Sequence, residues 1–481
     1  MTHSVVRLHH RFVATEYSKN GQAVFLDKYS GDWFVLDSEN RDLTDDLIDG
    51  LPVDKLAGLE PSKLCAIKKL ATSGAFEPAS KDIEKKVSLE RHQVTLVIIE
   101  ALNFCNLACT YCFEDVPLRG KKMSFETAEA IIESVKKLNL AKSFVIEFNG
   151  GESFANLPIL RHIVKCVEAS GLLKEHSISY GMTSNLTLLP QAAIEFIKSN
   201  NVGISVSIDG VEDDHDKHRI TGAGKGTHAR VVKNMERLTR EGIEFSSISV
   251  ISEPGQISRA YAYLSSLEVP YVSFAIRRHS DRSPLRQCDY SEIAKELVKV
   301  FRDSVRKFKK REFAPKVMDG VILVRNLISP HDPNYMCLRT PCGAGINMIT
   351  YDTTGDIYAC QDLIKERNFR ICDATDPNPQ AQIESNEVVQ RLKQRKPGDN
   401  VGCEQCDFQM FCQGGCYSTS YFAADSDLEA SFRTRTPHCE YYFSAFSLLL
   451  DFVASEGAAL LPYLDSTPYL QDQELHEPCC N

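Results

Sequence analysis

The chain has no uninterrupted apolar run of the length a membrane span needs, about eighteen residues, and its start, MTHSVVRLHHRF, has no apolar h-region. Both absences point to a cytoplasmic protein with no membrane partner. An excess of positive charge is also missing: the formal net charge is -10 and the pI about 5.8. That argues against a dedicated nucleic-acid binder, because contact with phosphates needs concentrated Lys and Arg. The one dense basic run, Arg306 to Arg311, closes a stretch with Ile293, Leu297, Phe301, Val305 and Phe308 at helical spacing and reads as a solvated helix end. Low-complexity segments are absent too.

Cysteine is abundant. Seventeen stand among 481 residues of otherwise ordinary globular composition, 43% apolar and 25% charged. Disulfides do not persist in a reducing cytosol, so catalysis or metal binding is the expected use. The length predicts two or three domains.

Residues 1–85 read as a small α+β unit, with a hairpin around Tyr29-Ser30-Gly31 and a short helix in PSKLCAIKKLATSGAF, followed by the polar linker SKDIEKKVSLERH. From residue 94 to about 312, six β-rich runs (QVTLVIIEA, SFVIEFNG, SISYGMTS, VGISVSID, FSSISVIS and YVSFAIRR) alternate with amphipathic helical stretches. This predicts an α/β fold with a parallel sheet, a partial TIM-like (β/α)6 barrel. The polar residues that stand out lie at the C-terminal ends of those strands, where parallel barrels place their active sites. After 312 the rhythm stops. A cysteine-rich unit is expected over 330–445, and a helix and tail over 446–481.

Cys105, Cys109 and Cys112 follow C-x3-C-x2-C. Three thiolates on one tight loop can hold a four-iron cluster and leave one iron open; a structural zinc would want a fourth ligand, and none lies in this loop. Farther on, Cys337, Cys342, Cys360, Cys403, Cys406, Cys412, Cys416 and Cys439 make eight thiols. By count that is two sets of four, either for two iron-sulfur clusters or for two zinc ions. Cys166, between Ile163, Val164 and Val167, reads as core packing, and Cys479-Cys480 as a mobile tail.

The loop of Cys105, Cys109, Cys112 and Phe113 resembles the signature of the radical S-adenosylmethionine (SAM) superfamily, and the later cysteines resemble the SPASM domain of its peptide-modifying branch. The resemblance implies three 4Fe-4S clusters and SAM. Cys105, Cys109 and Cys112 would ligate the catalytic cluster. Cys337, Cys342, Cys360 and Cys416 would hold one auxiliary cluster, and Cys403, Cys406, Cys412 and Cys439 the other. Gly150, Gly151 and Glu152 match the GGE motif that meets the SAM methionine, while Phe113, Asn185 and Ser207 are further candidates for binding it. His215, Asp216, Arg219, Gly224, Gly226, Thr227 and Asn234 follow the order of the branch and read mainly as loop architecture.

In relatives that make formylglycine, an Asp directly follows a SPASM cysteine and acts as base. This chain has Cys360-Gln361-Asp362, a departure that counts against a sulfatase maturase and leaves Asp362 as a candidate base. TSNLTLL and the GGES variant are more similar to maturases of ribosomally made peptides of the His-Xaa-Ser or cyclophane type. The expected function is therefore cross-linking of a precursor peptide, with the N-terminal unit binding the leader by strand addition and flavodoxin or ferredoxin as electron donor. An iron-sulfur electron carrier and a zinc-stapled interaction protein are the rival readings.

Overall fold

The computed structural model describes residues 5–8, 12–15, 23–36, 41–72, 75–76, 93–114, 116–278, 288–329 and 336–466. The polar linker of 80–92 and the Cys479-Cys480 tail lie outside them. Near the N-terminus, β1 (Val5–Val6) pairs antiparallel with β5 (Leu51–Pro52), while β2 (Phe12–Thr15), β3 (Ala23–Asp27) and β4 (Trp33–Leu36) form a three-stranded antiparallel sheet with β3 in the centre. The β3–β4 hairpin turns where the sequence predicts. Asp27 accepts from Tyr29 N (2.9 Å) and Ser30 Oγ (2.7 Å), and Gly31 takes the positive φ of 76° that closes the turn. Phe25, Leu43, Leu47, Leu51 and Leu70 build a small core of their own. On the other face of β3, Val24 and Leu26 join the main core, and Trp33 Nε1 donates to Leu327 O at 2.9 Å.

The main sheet has ten strands in the order β12-β11-β10-β9-β8-β7-β6-β13-β14-β15. The six expected strands are β6 (Val94–Glu100), β7 (Leu140–Asn149), β8 (Ser177–Ser184), β9 (Gly203–Ser207), β10 (Phe245–Ile251) and β11 (Tyr271–Ile276), all parallel. The connecting helices include Phe125–Val135, Leu157–Ser170, Gln191–Asn200, His228–Arg240 and Gln256–Ser266, close to their expected bounds. Strands pair in chain order, so right-handed crossovers place every connecting helix on one face of the sheet. Burial alternates accordingly: Ile204, Val206, Val272 and Phe274 are covered, whereas Ser205, Ser246 and Ser273 on the opposite face stay partly open.

Beyond residue 312 the rhythm does not stop at once. β12 (Lys316–Val317) and the helix Met318–Ile328 form a seventh βα unit, whose two-residue strand is too short to leave a period in the sequence. The cysteine-rich segment also rejoins the sheet: β13 (Met348–Tyr351) lies parallel to β6, and β14 (Asp356–Tyr358) and β15 (Arg370–Asp373) extend it antiparallel. With β6 flanked by β7 and β13, the sheet does not close into a barrel.

The expected division at 445/446 falls inside one helix, Cys439–Glu456. By length and composition the segment Cys439–Asp465 is apolar enough to cross a membrane, although scattered polar residues interrupt its apolar run. Part of that surface, 39% of its most apolar window, is buried against protein. Ala445, Phe446, Leu449, Leu450 and Val453 are buried in the main core, and the helix packs on Tyr290–Lys310 and Met318–Ile328.

Candidate active site

The strand ends of β6 to β9 carry the three-thiol loop, Gly150-Gly151-Glu152, Asn185 and Ser207 on one edge of the sheet. The loop after β6 is held from behind by the segment after β9. Ala108 N donates to Ile220 O (2.8 Å), Thr110 N to His218 O (3.1 Å), and Leu107 bridges Thr221. Beneath it, Asp209 accepts both Arg219 Nε and Arg219 Nη2 at 3.1 Å, accepts from Val250 N at 2.9 Å and receives the Tyr111 hydroxyl. Asp209 and Arg219 are nearly inaccessible, 1% and 9% exposed, so this ion pair is a buried brace for the loop.

The two glycines are explained by contact with the same loop. A Cβ on Gly150, whose φ is +91°, would stand 2.2 Å from Leu102 O, and one on Gly151 would stand 1.8 Å from Phe104 O. Only a chain without side chains at both positions lets the turn after β7 press against the residues leading into Cys105.

Glu152 follows directly and is fully buried. Its carboxyl accepts from Asn185 N (2.8 Å), Ser184 Oγ (2.9 Å) and Phe154 N (3.2 Å), while burial pushes its pKa up to about 7. It ties the end of β7 to the end of β8. Asn185 in turn donates to Asn106 Oδ1 (3.0 Å) and Cys105 Sγ (3.5 Å), and accepts from Thr187 N (3.0 Å) and Thr187 Oγ1 (2.7 Å). Ser207 is buried at the end of β9, two residues before Asp209. Phe113 is exposed, with the Arg278 guanidinium over its ring at 5.1 Å.

Cys105, Cys109 and Cys112 lie close enough to act on one another electrostatically, and burial pushes the Cys105 and Cys109 thiols up to about 12 and about 11. Thiols so placed stay protonated at neutral pH unless a cationic group joins them, which is the setting of a metal-thiolate centre. Leu107 N (3.4 Å) and Asn185 Nδ2 both donate to Cys105 Sγ, as second partners of a cluster ligand do.

The eight later thiols fall into two neighbourhoods. Cys416 interacts with Cys337, Cys342 and Cys360, and a hydrogen bond from Cys337 holds its thiol below the ordinary value. Cys403, Cys406, Cys412 and Cys439 interact among themselves. Arg395 acts on Cys342 of the first set and Cys403 of the second, and donates to Gly414 O and Gly415 O between them. Among the described residues no three His, Cys, Asp or Glu side chains converge on a single-ion site, so each set is a neighbourhood of thiols and not a formed coordination sphere.

Asp362 stands beside the first neighbourhood, not in the three-thiol loop. It forms an ion pair with Arg278 at the end of β11, accepts from Ser418 Oγ (2.8 Å) and lies 4.0 Å from Cys416 Sγ. The same stretch reaches the loop: Gln361 Nε2 donates to Glu114 Oε1 at 2.9 Å and Lys365 to Glu114 O. Sequence reasoning missed Arg278, Arg395, Asn106 and two carboxylates inside strands, Glu100 and Glu147. For the last two a signal was present, a lone acid in VTLVIIE and in FVIEFN.

A parallel α/β sheet thus carries a three-thiol loop at its strand ends, with eight further thiols gathered in two neighbourhoods of the later segment. Residues 99–253 match the model of the Radical SAM superfamily, so the chain contains a radical SAM domain and is an enzyme. Such a domain works with SAM and a 4Fe-4S cluster. The chain is similar to a cysteine-type anaerobic sulfatase-maturating enzyme of Clostridium novyi, 22% identical over 67% of this chain and 87% of the relative. In structure it is similar to anSMEcpe with bound AdoMet (TM-score 0.64, 18% identity, 76% of this chain and 98% of that one). It is also similar to Streptococcus suis SuiB bound to its precursor peptide SuiA (TM-score 0.54, 13% identity, 90% and 99%).

Proposed function

We propose that this enzyme is a maturase that cross-links side chains of a ribosomally made precursor peptide in the cytoplasm, without a membrane or nucleic-acid partner. The observation that carries this reading is the incomplete set of three thiols, braced at the strand ends and overlain by a segment with two complete sets of four. Cys105, Cys109 and Cys112 hold the catalytic cluster; bound there with SAM, it supplies a hydrogen-abstracting organic radical by one-electron reduction. Gly150 and Gly151 seat the loop, and Glu152 fixes Asn185, whose amide donates to Cys105 Sγ. The backbone of this turn, Ser207 and Phe113 lie where SAM meets the chain. Cys337, Cys342, Cys360 and Cys416 hold one auxiliary 4Fe-4S cluster and Cys403, Cys406, Cys412 and Cys439 the other. They make three clusters in all, fed by flavodoxin or ferredoxin.

A peptide substrate is supported by the description of SuiB with a bound precursor peptide and by the larger share of this chain, 90% against 76%, that the SuiB structure spans. β4 is an edge strand of its three-stranded sheet, the kind of position at which a leader segment adds a strand. A second reading, formylglycine formation, is favoured by the sulfatase-maturating relative and by Asp362, which would then act as base beside the first auxiliary set.

The test is anaerobic reconstitution with SAM, dithionite and a peptide encoded beside the gene. The cross-linking reading expects 5'-deoxyadenosine together with a product lighter by H2 that carries no aldehyde. A hydroxylamine-trapped aldehyde would establish the second reading instead, and absence of 5'-deoxyadenosine would end both.

A further inference from the structure

Cross-strand partners share a face, so the strand registers trace what lies on the side of the sheet away from the connecting helices. Ile98 pairs with Glu147, Glu100 with Asn149, Glu147 with Gly181, and Gly181 with Gly203; Thr183, Ser205 and Ser246 continue the same face. Among the apolar and small residues of this surface stand two acids. Glu100 is only 5% exposed, Glu147 is half-buried over Gly181, and neither carboxyl has a hydrogen-bond partner among the described residues.

A buried carboxylate without a partner is costly, and it persists where a ligand completes it. Burial raises both pKa values, and the charges acting on Glu147 include no cation. Lys365, which acts on Glu100, donates to the carbonyl of Glu114. An independent observation comes from β13. Thr350 pairs with Ile98 on this face, is fully buried, and its Oγ1 has no hydrogen-bond partner.

We propose that Glu100 and Glu147 form a subsite that receives a basic side chain (lysine, arginine or protonated histidine) of the substrate peptide. The proposal rests on the maturase reading and names the chemistry its substrate must carry near the modified position. The ammonium group of SAM offers the same chemistry from another source. Glu100 lies against the Gly150 turn, whereas Glu147 precedes that turn by three residues, about 10 Å farther along β7, so Glu147 is the member that separates a peptide side chain from the SAM ammonium.

The experiment is calorimetric titration of the reconstituted holoenzyme with SAM alone and, separately, with capped pentapeptides whose central residue is lysine or norleucine. The wild type is expected to bind the lysine peptide at least ~10-fold more tightly than the norleucine peptide. In Glu147→Gln that preference should shrink toward equality while SAM affinity holds, and in Glu100→Gln, beside the Gly150 turn, the preference should shrink as well. A wild-type preference near unity would overturn the proposal, as would variants that lose SAM affinity but keep the preference. The wild-type comparison needs no variant to fold. Failure of the maturase reading shows separately, as absence of 5'-deoxyadenosine from SAM and dithionite.

Discussion

The loop after β6 and the cysteine-rich segment use the same side chain in opposite ways. The loop draws three thiols from eight consecutive residues and leaves their set incomplete; it is held by groups that are not thiols, chiefly Asp209, Arg219, Tyr111 and the carbonyls of Ile220 and His218. The later segment draws its sets from Cys337 to Cys439 and interleaves them, Cys416 of the first set following Cys412 of the second. On the proposed assignment, clusters would cross-link distant positions of that segment, and Arg395 acts on a thiol of each set. A centre that must expose a reactive site needs an external brace, whereas a closed centre can itself be the brace.

The largest effect on this contrast should come from the brace. Asp209→Asn leaves Arg219 buried and uncompensated, which costs about 3–5 kcal/mol. Denaturant unfolding of the cluster-free protein measures it, and the loop's cluster should be lost while the later sets still load. Gly151→Ala comes next. Its Cβ would stand 1.8 Å from Phe104 O, so the loop must move, at about 3 kcal/mol, with 5'-deoxyadenosine formation falling more than auxiliary iron content.

The smallest effect is a pH dependence. Glu152 has its pKa raised from 4.5 to about 7. Between those values the folded state keeps a proton that the unfolded state releases, so stability falls as pH rises from about 4.5 and the loss is complete above about 7. Up to about 3 kcal/mol rests on it. Glu152→Gln should flatten that part of the stability profile; a profile parallel to wild type would show that Glu152 does not titrate in this window.

Much of this was legible in the sequence. The six strands and their helices followed from hydrophobic period, because each is long enough to repeat its pattern; β12, with two residues, is not. Cysteine spacing pointed to the loop and to two sets of four. What period and spacing do not carry is proximity between distant segments. Gly150 and Gly151 were recognisable as a motif, but their reason, the carbonyls of Leu102 and Phe104, exists only once two strand ends are brought together. Asp209 and Arg219 were visible as residues and not as a pair. The boundary expected at 445/446 falls within the helix Cys439–Glu456, which begins at the last cysteine of the pattern and carries its apolar face across that point.

The account's central claim is that an open set and two closed sets coexist in one chain. Iron and sulfide analysis of anaerobically reconstituted wild type, beside the Cys105→Ala/Cys109→Ala/Cys112→Ala variant, tests it most directly. About twelve irons falling to about eight, with no zinc, is the expected result. Equal iron in the two proteins, or zinc in place of iron, would contradict it.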